Sequence, residues 1–237
     1  MRRGLEIGAS GPCADAFAMN VVGGIGWITR TEYGCVRRRL RKPYTEIASL
    51  RGDLQADSLF SYPVKGFGKF DRVSQMCCCV AALAFHDAEI AYAQDEKQDI
   101  GVLGTNADGC LQSNLDYFND FVENGRTLGR ANHFVYTLPS IPMSQAAIHF
   151  KCQGPLLYVR FPIAPVASLL RQADRIILRG ESAAMLAVMA NEEDAQSFMV
   201  RRADDVSAQE VFELEEVIEL AKGGSPADQM ITALTDL

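Results

Sequence analysis

The side chains of this sequence that could act as nucleophiles lack the partners that covalent catalysis requires. The candidates for acyl hydrolysis or transfer are Cys110, Ser144 and Ser168, and the sequence holds three histidines. A hydrolase serine is expected in a G-x-S-x-G turn, where a histidine oriented by a carboxylate removes the hydroxyl proton. No such turn occurs, and no histidine has an evident carboxylate partner in the sequence. These residues therefore give little support to an acyl hydrolase or transferase.

The seven cysteines do not form a disulfide or metal-binding pattern. Cys77–Cys79 are adjacent, and no C-x-x-C pair or histidine at ligand spacing accompanies any cysteine. We expect buried thiols that act as small apolar side chains in a reducing compartment. Gly24 and Gly26 could begin a dinucleotide-binding loop, but Thr29 stands where the third glycine is needed. The sequence thus predicts neither a metal nor a cofactor.

Charge and hydropathy argue against nucleic-acid and membrane partners. The net charge is −7 and the pI is about 5.0, so no long-range positive field would attract phosphates. The basic run at residues 37–42 could be a solvated loop, a helix end or a docking patch for an acidic partner. The apolar stretch Val73–Phe85 is shorter than the ~20 residues that span a bilayer, and no signal-peptide core is apparent at the start. We expect a cytoplasmic protein without a membrane span.

Hydrophobic periodicity indicates an α/β fold in which helices cover the faces of a sheet. The chain has 237 residues with 48% hydrophobic content, enough for one substantial core. Residues 30–66 are predicted to be loop-rich with short helices. The predicted strands are Met19–Ile28, Ile100–Leu103, Leu156–Phe161 and Met185–Met189, and the predicted helices are Asp71–Tyr92, Leu111–Asn124, Ile141–Phe150, Val166–Leu178 and Ala208–Lys222. We divide the chain into a mobile leader at 1–17, a main unit at 18–192 and a helical C-terminal segment at 193–237.

Several motifs in the main unit resemble, in order and spacing, those of β-ketoacyl synthases of the thiolase-like superfamily. The motifs are Val21–Thr29 (opening strand and glycine turn), Phe70–Gln75 (the D-R-F-S helix start), Ile100–Gly109 (the next strand and glycine turn), His133–Ala147 (the loop and helix before the nucleophile strand), Gly154-Pro155 (the G-P pair) and Gly180–Glu192 (the G-D-A-D strand). The resemblance implies that residues 18–192 form the N-terminal half of a thiolase-like fold, layered helix/sheet/helix.

The family's nucleophilic cysteine follows the G-P pair by eight residues, and in this sequence that position is Ile163. The residues after it run without a gap into the family-like helix at 173–177, so the register is not easily shifted. Isoleucine cannot form a thioester. Cys152 lies before the G-P pair, away from the helix N-terminus whose dipole would lower the pKa of a thiol. We therefore expect no nucleophile at this position.

The family's condensation reaction also uses two histidines that follow the cysteine in the chain. Here His86, His133 and His149 all precede Ile163. A complete synthase would continue with a second half of comparable size, which carries both histidines and one side of the acyl pocket. By this resemblance, the chain is not an enzyme by itself.

The resemblance is closest to the short chain-length-factor subunits found with aryl-polyene-type ketosynthases. It implies a non-catalytic subunit of an acyltransferase complex that pairs with an active β-ketoacyl synthase and reaches an acyl carrier protein through that complex. The implied pathways are those of fatty acids, polyketides or polyenes. The implied pocket and interface residues are Phe118, His133, Phe134, Thr137 and Met143.

Two alternatives remain open at this point. The chain could be a stand-alone homodimeric acyl-binding or scaffold protein, or, less favoured, an acyl hydrolase or transferase. Phe118 and Phe121 could also serve ordinary packing of their helix on the core.

Overall fold

The computed structural model describes residues 19–126, 129–206, 211–222 and 227–235; the predicted leader at 1–17 lies outside them. The described residues form an eight-stranded mixed sheet in the order β3-β2-β1-β7-β6-β4-β5, and β8 pairs with β1. Strands β6, β4 and β5 run parallel, whereas β7 is antiparallel to both β1 and β6. The strands are β1 Asn20–Ile28, β2 Glu32–Cys35, β3 Leu40–Pro43, β4 Ile100–Thr105, β5 Leu156–Tyr158, β6 Ala184–Ala190, β7 Ala195–Arg202 and β8 Phe212–Glu213.

Helices cover both faces of this sheet, as the periodicity predicted. Helices α1, α2 and α5 enclose one apolar core, and α6, α7 and α8 enclose the other. Within the described ranges, no helix combines the length and apolar composition needed to cross a bilayer. The helices are α1 Ile47–Ala56, α2 Arg72–Asp87, α3 Leu111–Glu123, α4 Ala131–Val135, α5 Ile141–Phe150, α6 Pro165–Leu178, α7 Leu214–Lys222 and α8 Ala227–Thr235.

Helix α2 packs directly against the backbone of β1. Its N-cap residue, Asp71, accepts a hydrogen bond from the Ser74 N–H at 2.9 Å, which satisfies one of the free donors of the first turn. A Cβ atom at Gly24 or Gly26 would lie 2.4 Å from the Ala88 nitrogen or 2.6 Å from the Val80 carbonyl oxygen. These two glycines therefore permit close packing of strand and helix, and they do not form a cofactor loop.

Most predicted elements are present, but the structure corrects the prediction for the chain after residue 192. Strand β7 lies between β1 and β6, in the segment predicted to be helical. Its Gln196 and Ser197 are polar yet almost fully buried, and the Ser197 hydroxyl donates to the Val80 carbonyl at 2.6 Å. Helix α7 begins at Leu214, directly after β8, and the predicted start at Ala208 lies outside the described residues. The C-terminal residues thus complete the core of the main unit.

Two further predictions differ in detail. Residues 30–66, predicted to be loop-rich, contain the hairpin of β2 and β3 as well as α1. Helix α2 ends at Asp87, five residues before the predicted Tyr92, because the backbone becomes left-handed at Glu89, with φ of 57°.

The basic run at residues 37–42 supports the fold. The Arg37 side chain is only 8% exposed, and its guanidinium donates to the carbonyls of Gly23 and Asp87. Arg38, Arg41 and Lys42 form ion pairs with acidic side chains of neighbouring segments. Much of its charge is therefore compensated within the chain, which weakens the case for an acidic docking partner.

The outer face of the α6–α7 layer is charged. Helix α6 buries apolar residues along one side and turns Arg171 and Arg175 outward, and its C-cap residue Arg179 is also exposed. Arg171 pairs with Glu215 and Glu219 of α7, although these residues are distant in sequence. Such exposed pairs contribute little stability, but they keep this face hydrated.

Candidate functional site

Ile163 lies in the loop between β5 and α6, directly before the N-terminus of a 14-residue helix. Its side chain is 80% exposed. Ala164, the N-cap residue, has a left-handed backbone with φ of 42°, and Pro165 at the first helical position has no N–H to donate. A helix N-terminus of this kind would lower the pKa of a thiol, but isoleucine has no group to activate.

The alternative nucleophiles are all engaged with backbone carbonyl groups. The Ser144 hydroxyl donates to Ser140, and the Ser168 hydroxyl donates to Ile163. The Cys110 thiol donates to the Thr137 carbonyl at 2.7 Å. None of the hydrogen bonds found among the described residues joins one of these groups to a histidine.

Burial raises the thiol pKa of each of the other cysteines that the structure describes. Burial raises the pKa of the Cys152 thiol to about 12, far above the range of a reactive thiolate. Cys77–Cys79 are fully buried in α2, and burial raises the pKa of each thiol. No group of histidine, cysteine and acidic side chains within the described ranges could hold a metal ion.

A cavity of about 180 Å³ opens at the carboxyl ends of β4 and β6, and Cys110 and Asn106 contribute to its lining. Its polar groups mainly hold the surrounding loops together. The Asn106 side chain bonds to both backbone groups of Gly109 and accepts the Tyr158 hydroxyl at 2.9 Å. The Ser113 hydroxyl donates to the Asp71 carboxylate at 2.9 Å. This arrangement contains no paired nucleophile and base.

Helix α3 exposes its apolar side and buries an acidic residue. Asp120 is 9% exposed and forms an ion pair with Arg130, with 3.1 Å between Oδ1 and Nε. The neighbouring α4 and its C-terminal turn expose further apolar side chains, and the Tyr117 and Phe134 rings lie 5.7 Å apart. We define the α3–α4 surface as the exposed residues Leu111, Leu115, Phe118, Val122, Phe134, Val135 and Leu138.

The structure separates the five predicted pocket and interface residues into a surface group and a core residue. Phe118 is 59% exposed and Phe134 is 55% exposed, so packing on the core does not explain either side chain. His133 and Thr137 are half-buried beside them in and after α4. Met143 is fully buried, and it packs against Gly104 of β4. The sequence did not single out Leu111, although its spacing of four residues from Leu115 extends the apolar stripe along α3.

Strand β5 forms one edge of the sheet. It pairs with β4 on one side, and it is shorter than the predicted Leu156–Phe161, ending at Tyr158. Leu156 and Leu157 are successive residues that point to opposite faces, yet they are 36% and 40% exposed. An apolar edge strand of this kind invites pairing with another chain.

The sheet order and the helical layers can be compared with those of solved structures. The ishigamide ketosynthase/chain length factor is 15% identical in sequence with a TM-score of 0.55, and the match covers 81% of this chain and 64% of that chain. The chain has a thiolase-like fold of the ketosynthase type. A β-ketoacyl synthase from Burkholderia phymatum STM815 is 16% identical with a TM-score of 0.56, covering 79% and 60% of the two chains.

A third ketosynthase-type structure matches the chain to a similar extent. It is the AntDE:AntF complex, a type II PKS acyl-carrier protein with its ketosynthase bound to the hexaketide. The identity is 12% and the TM-score is 0.55, covering 79% of this chain and 59% of that chain. No protein-family model and no curated protein matches the sequence. The chain thus spans 59% to 64% of the length of these ketosynthase-type structures.

Proposed function

We propose that the chain is a non-catalytic ketosynthase-like subunit of the chain-length-factor type, which pairs with an active β-ketoacyl synthase. The observation that carries this proposal is Ile163, an exposed aliphatic side chain before α6, where the motif register expects a nucleophilic cysteine. The hydrogen bonds of Cys110, Ser144 and Ser168 support the same conclusion, because none of those found in the described part of the chain joins one of them to a base.

The α3–α4 surface is the best candidate for the contact with the catalytic subunit. Exposed apolar side chains spaced along one helix face are costly in water unless another protein covers them. Strand β5 supplies a second contact, because its free edge and its half-exposed leucines suit strand pairing. In this assembly the partner performs the condensation, and an acyl carrier protein reaches the growing chain through the partner.

Within the proposed complex, Phe118 and Phe134 are the candidates for limiting the length of the acyl chain. Both rings are exposed in the isolated subunit and are therefore available to close a pocket that lies mainly in the partner. The role in biosynthesis of fatty acids, polyketides or polyenes follows from this proposal and depends on the partner's chemistry.

The test of pairing is coexpression with the complete ketosynthase encoded nearest to this chain in its genome. We expect the two proteins to copurify, and Phe118→Asp to abolish copurification because it places a charge within the apolar surface. Asn119→Asp is the matched control, since it introduces the same charge at the next, polar and exposed position of α3. Equal copurification of both variants would contradict the proposed surface.

A homodimer that uses the α3–α4 surface is the second candidate, because a second copy could cover the same apolar residues. Sedimentation of the protein alone distinguishes the two arrangements. A stable dimer that Phe118→Asp dissociates, together with no binding to the ketosynthase, would favour the acyl-binding or scaffold role.

A further inference from the structure

A second cavity, of about 330 Å³, lies beside the C-terminal turn of α5 and includes no residue of the α3–α4 surface. Tyr62, Phe70 and Ile148 contribute apolar walls, and Lys65 and Lys151 contribute two positive charges against the single negative charge of Asp95. Cavities of this size with apolar walls and a few polar groups are typical sites for small molecules. The lining therefore suits an anion with a flat apolar body.

His149 also lines this cavity and has an unused hydrogen-bonding atom. The residue is only 6% exposed, and its ring packs against those of Tyr62 at 4.5 Å and Phe150 at 4.8 Å. Its Nε2 atom has no hydrogen-bond partner among the described residues. Burial lowers the pKa of His149 to about 4, so the ring is neutral near pH 7. A buried polar atom of this kind is normally satisfied, and a ligand hydroxyl could supply the missing bond.

The backbone of Lys151 is strained at the edge of the same cavity. Lys151 caps α5 with φ of 59°, a left-handed conformation that glycine adopts without cost and that a side chain disfavours. A lysine at this position makes the fold less stable than a glycine would, and it places a cation at the cavity. Strained residues of this kind often mark ligand sites.

We propose that this cavity binds a small hydroxylated aromatic carboxylate. The ring lies against Tyr62 and Phe70, the carboxylate pairs with Lys65 and Lys151, and the ring hydroxyl bonds to Nε2 of His149. A hydroxyl can donate or accept, so it suits either neutral tautomer of the histidine. This binding site does not depend on the proposed pairing with a ketosynthase.

The test is titration of the full chain with 4-hydroxybenzoate, followed by the NMR signal of the His149 ring and by calorimetry. We expect saturable binding that is about tenfold weaker for 4-hydroxybenzamide, which lacks the charge, and for benzoate, which lacks the hydroxyl. No saturation up to about 10 mM, or equal binding of the three compounds, would overturn the proposal.

Two variants separate ligand binding from stability. Lys151→Gly should raise the melting temperature, because it relieves the strained backbone, and should weaken binding of 4-hydroxybenzoate. His149→Phe should remove the preference for 4-hydroxybenzoate over benzoate. Lys97→Ala is the control, since it removes an exposed cation outside the lining and should leave binding unchanged. Unchanged binding by both Lys151→Gly and His149→Phe would place the ligand elsewhere and refute the site.

Discussion

The buried carboxylate of Asp87 accepts a hydrogen bond from the backbone N–H of Ile25, with 2.7 Å between Oδ2 and N. Its other oxygen accepts the N–H of Arg38 at 3.0 Å. One side chain at the end of α2 therefore fixes both the central strand β1 and the loop after β2.

Replacement of Asp87 by Ala should destabilise the protein strongly. The change leaves the buried N–H of Ile25 without a partner, and we expect a loss of about 2–4 kcal/mol in the free energy of unfolding. Urea denaturation measures this loss. Asp116→Ala on the exposed face of α3 is the control and should change stability by about 0.5 kcal/mol or less. If Asp87→Ala lost no more than about 0.5 kcal/mol, as the control should, the Asp87 hydrogen bonds would not be important for stability.

Two glycine-to-alanine substitutions should change stability in opposite directions. In Gly26→Ala the new Cβ would lie 2.6 Å from the Val80 carbonyl oxygen, so β1 and α2 must separate, at a cost of about 1–3 kcal/mol or more. In Gly52→Ala no atom lies within 4 Å of the new Cβ. Because Gly52 lies within α1, the substitution should stabilise the protein by about 0.5–1 kcal/mol. Thermal denaturation of the two variants checks both signs.

The stability of the protein should fall as the pH decreases from about 6.5 to about 4, in part because of His149. Burial holds the pKa of His149 at about 4, whereas an unfolded histidine titrates near 6.5. In this window the unfolded chain binds a proton that the folded protein does not, which favours unfolding by up to about 3 kcal/mol.

His149→Phe isolates this contribution to the pH dependence. Urea denaturation across the window should show a shallower pH dependence for the variant, and the two proteins should have parallel profiles above about pH 7. Parallel profiles throughout would mean that His149 does not titrate with the lowered pKa.

Replacement of Ile163 by Cys should not create condensing activity in the isolated chain. The thiol would lie at the N-terminus of α6, but the sequence from 164 to 237 contains no histidine to stabilise the enolate oxygen. The assay is decarboxylation of a malonyl carrier substrate by the purified variant. Measurable turnover above that of the unmodified chain would refute the proposed non-catalytic role.

Truncation of Phe118 or Phe134 to Ala should lengthen the products of the reconstituted complex. Each added methylene that fills the new space would contribute about 0.8 kcal/mol of burial. The measurement is product length by mass spectrometry beside the yield of intact heterodimer. A lower yield with unchanged product length would assign these residues to assembly alone. Met143→Ala is a useful contrast, because loss of this core side chain should cost about 2–5 kcal/mol of stability instead.

The sequence predicted the elements that have clear periodicity and clear ends. Helix α5 has the predicted bounds Ile141–Phe150, and α3 ends one residue before the predicted Asn124. The motif order also predicted the ketosynthase-type fold. Strand β7 was missed because Gln196 and Ser197 are polar and interrupt an apolar strand pattern, and their burial depends on partners such as the Val80 carbonyl, distant in sequence.

The candidate surface was only partly predictable for a similar reason. An amphipathic helix has an apolar side whether that side faces the core or an absent partner, so the sequence could not decide between the two for Phe118. The decisive fact is that Asp120 is the buried side chain of α3, paired with Arg130. That pairing depends on the path of the chain between α3 and α4, which no local pattern specifies.

The arginines on the outer face of α6 also limit how this fold can be combined with other domains. Any domain that covered Arg171, Arg175 and Arg179 would have to remove water from three guanidinium groups and from the glutamates that pair with Arg171. An attached domain would meet a lower electrostatic barrier at the apolar edge of β5. In the proposed complex, contact along the β5 edge of the sheet therefore costs less than contact over the α6–α7 layer.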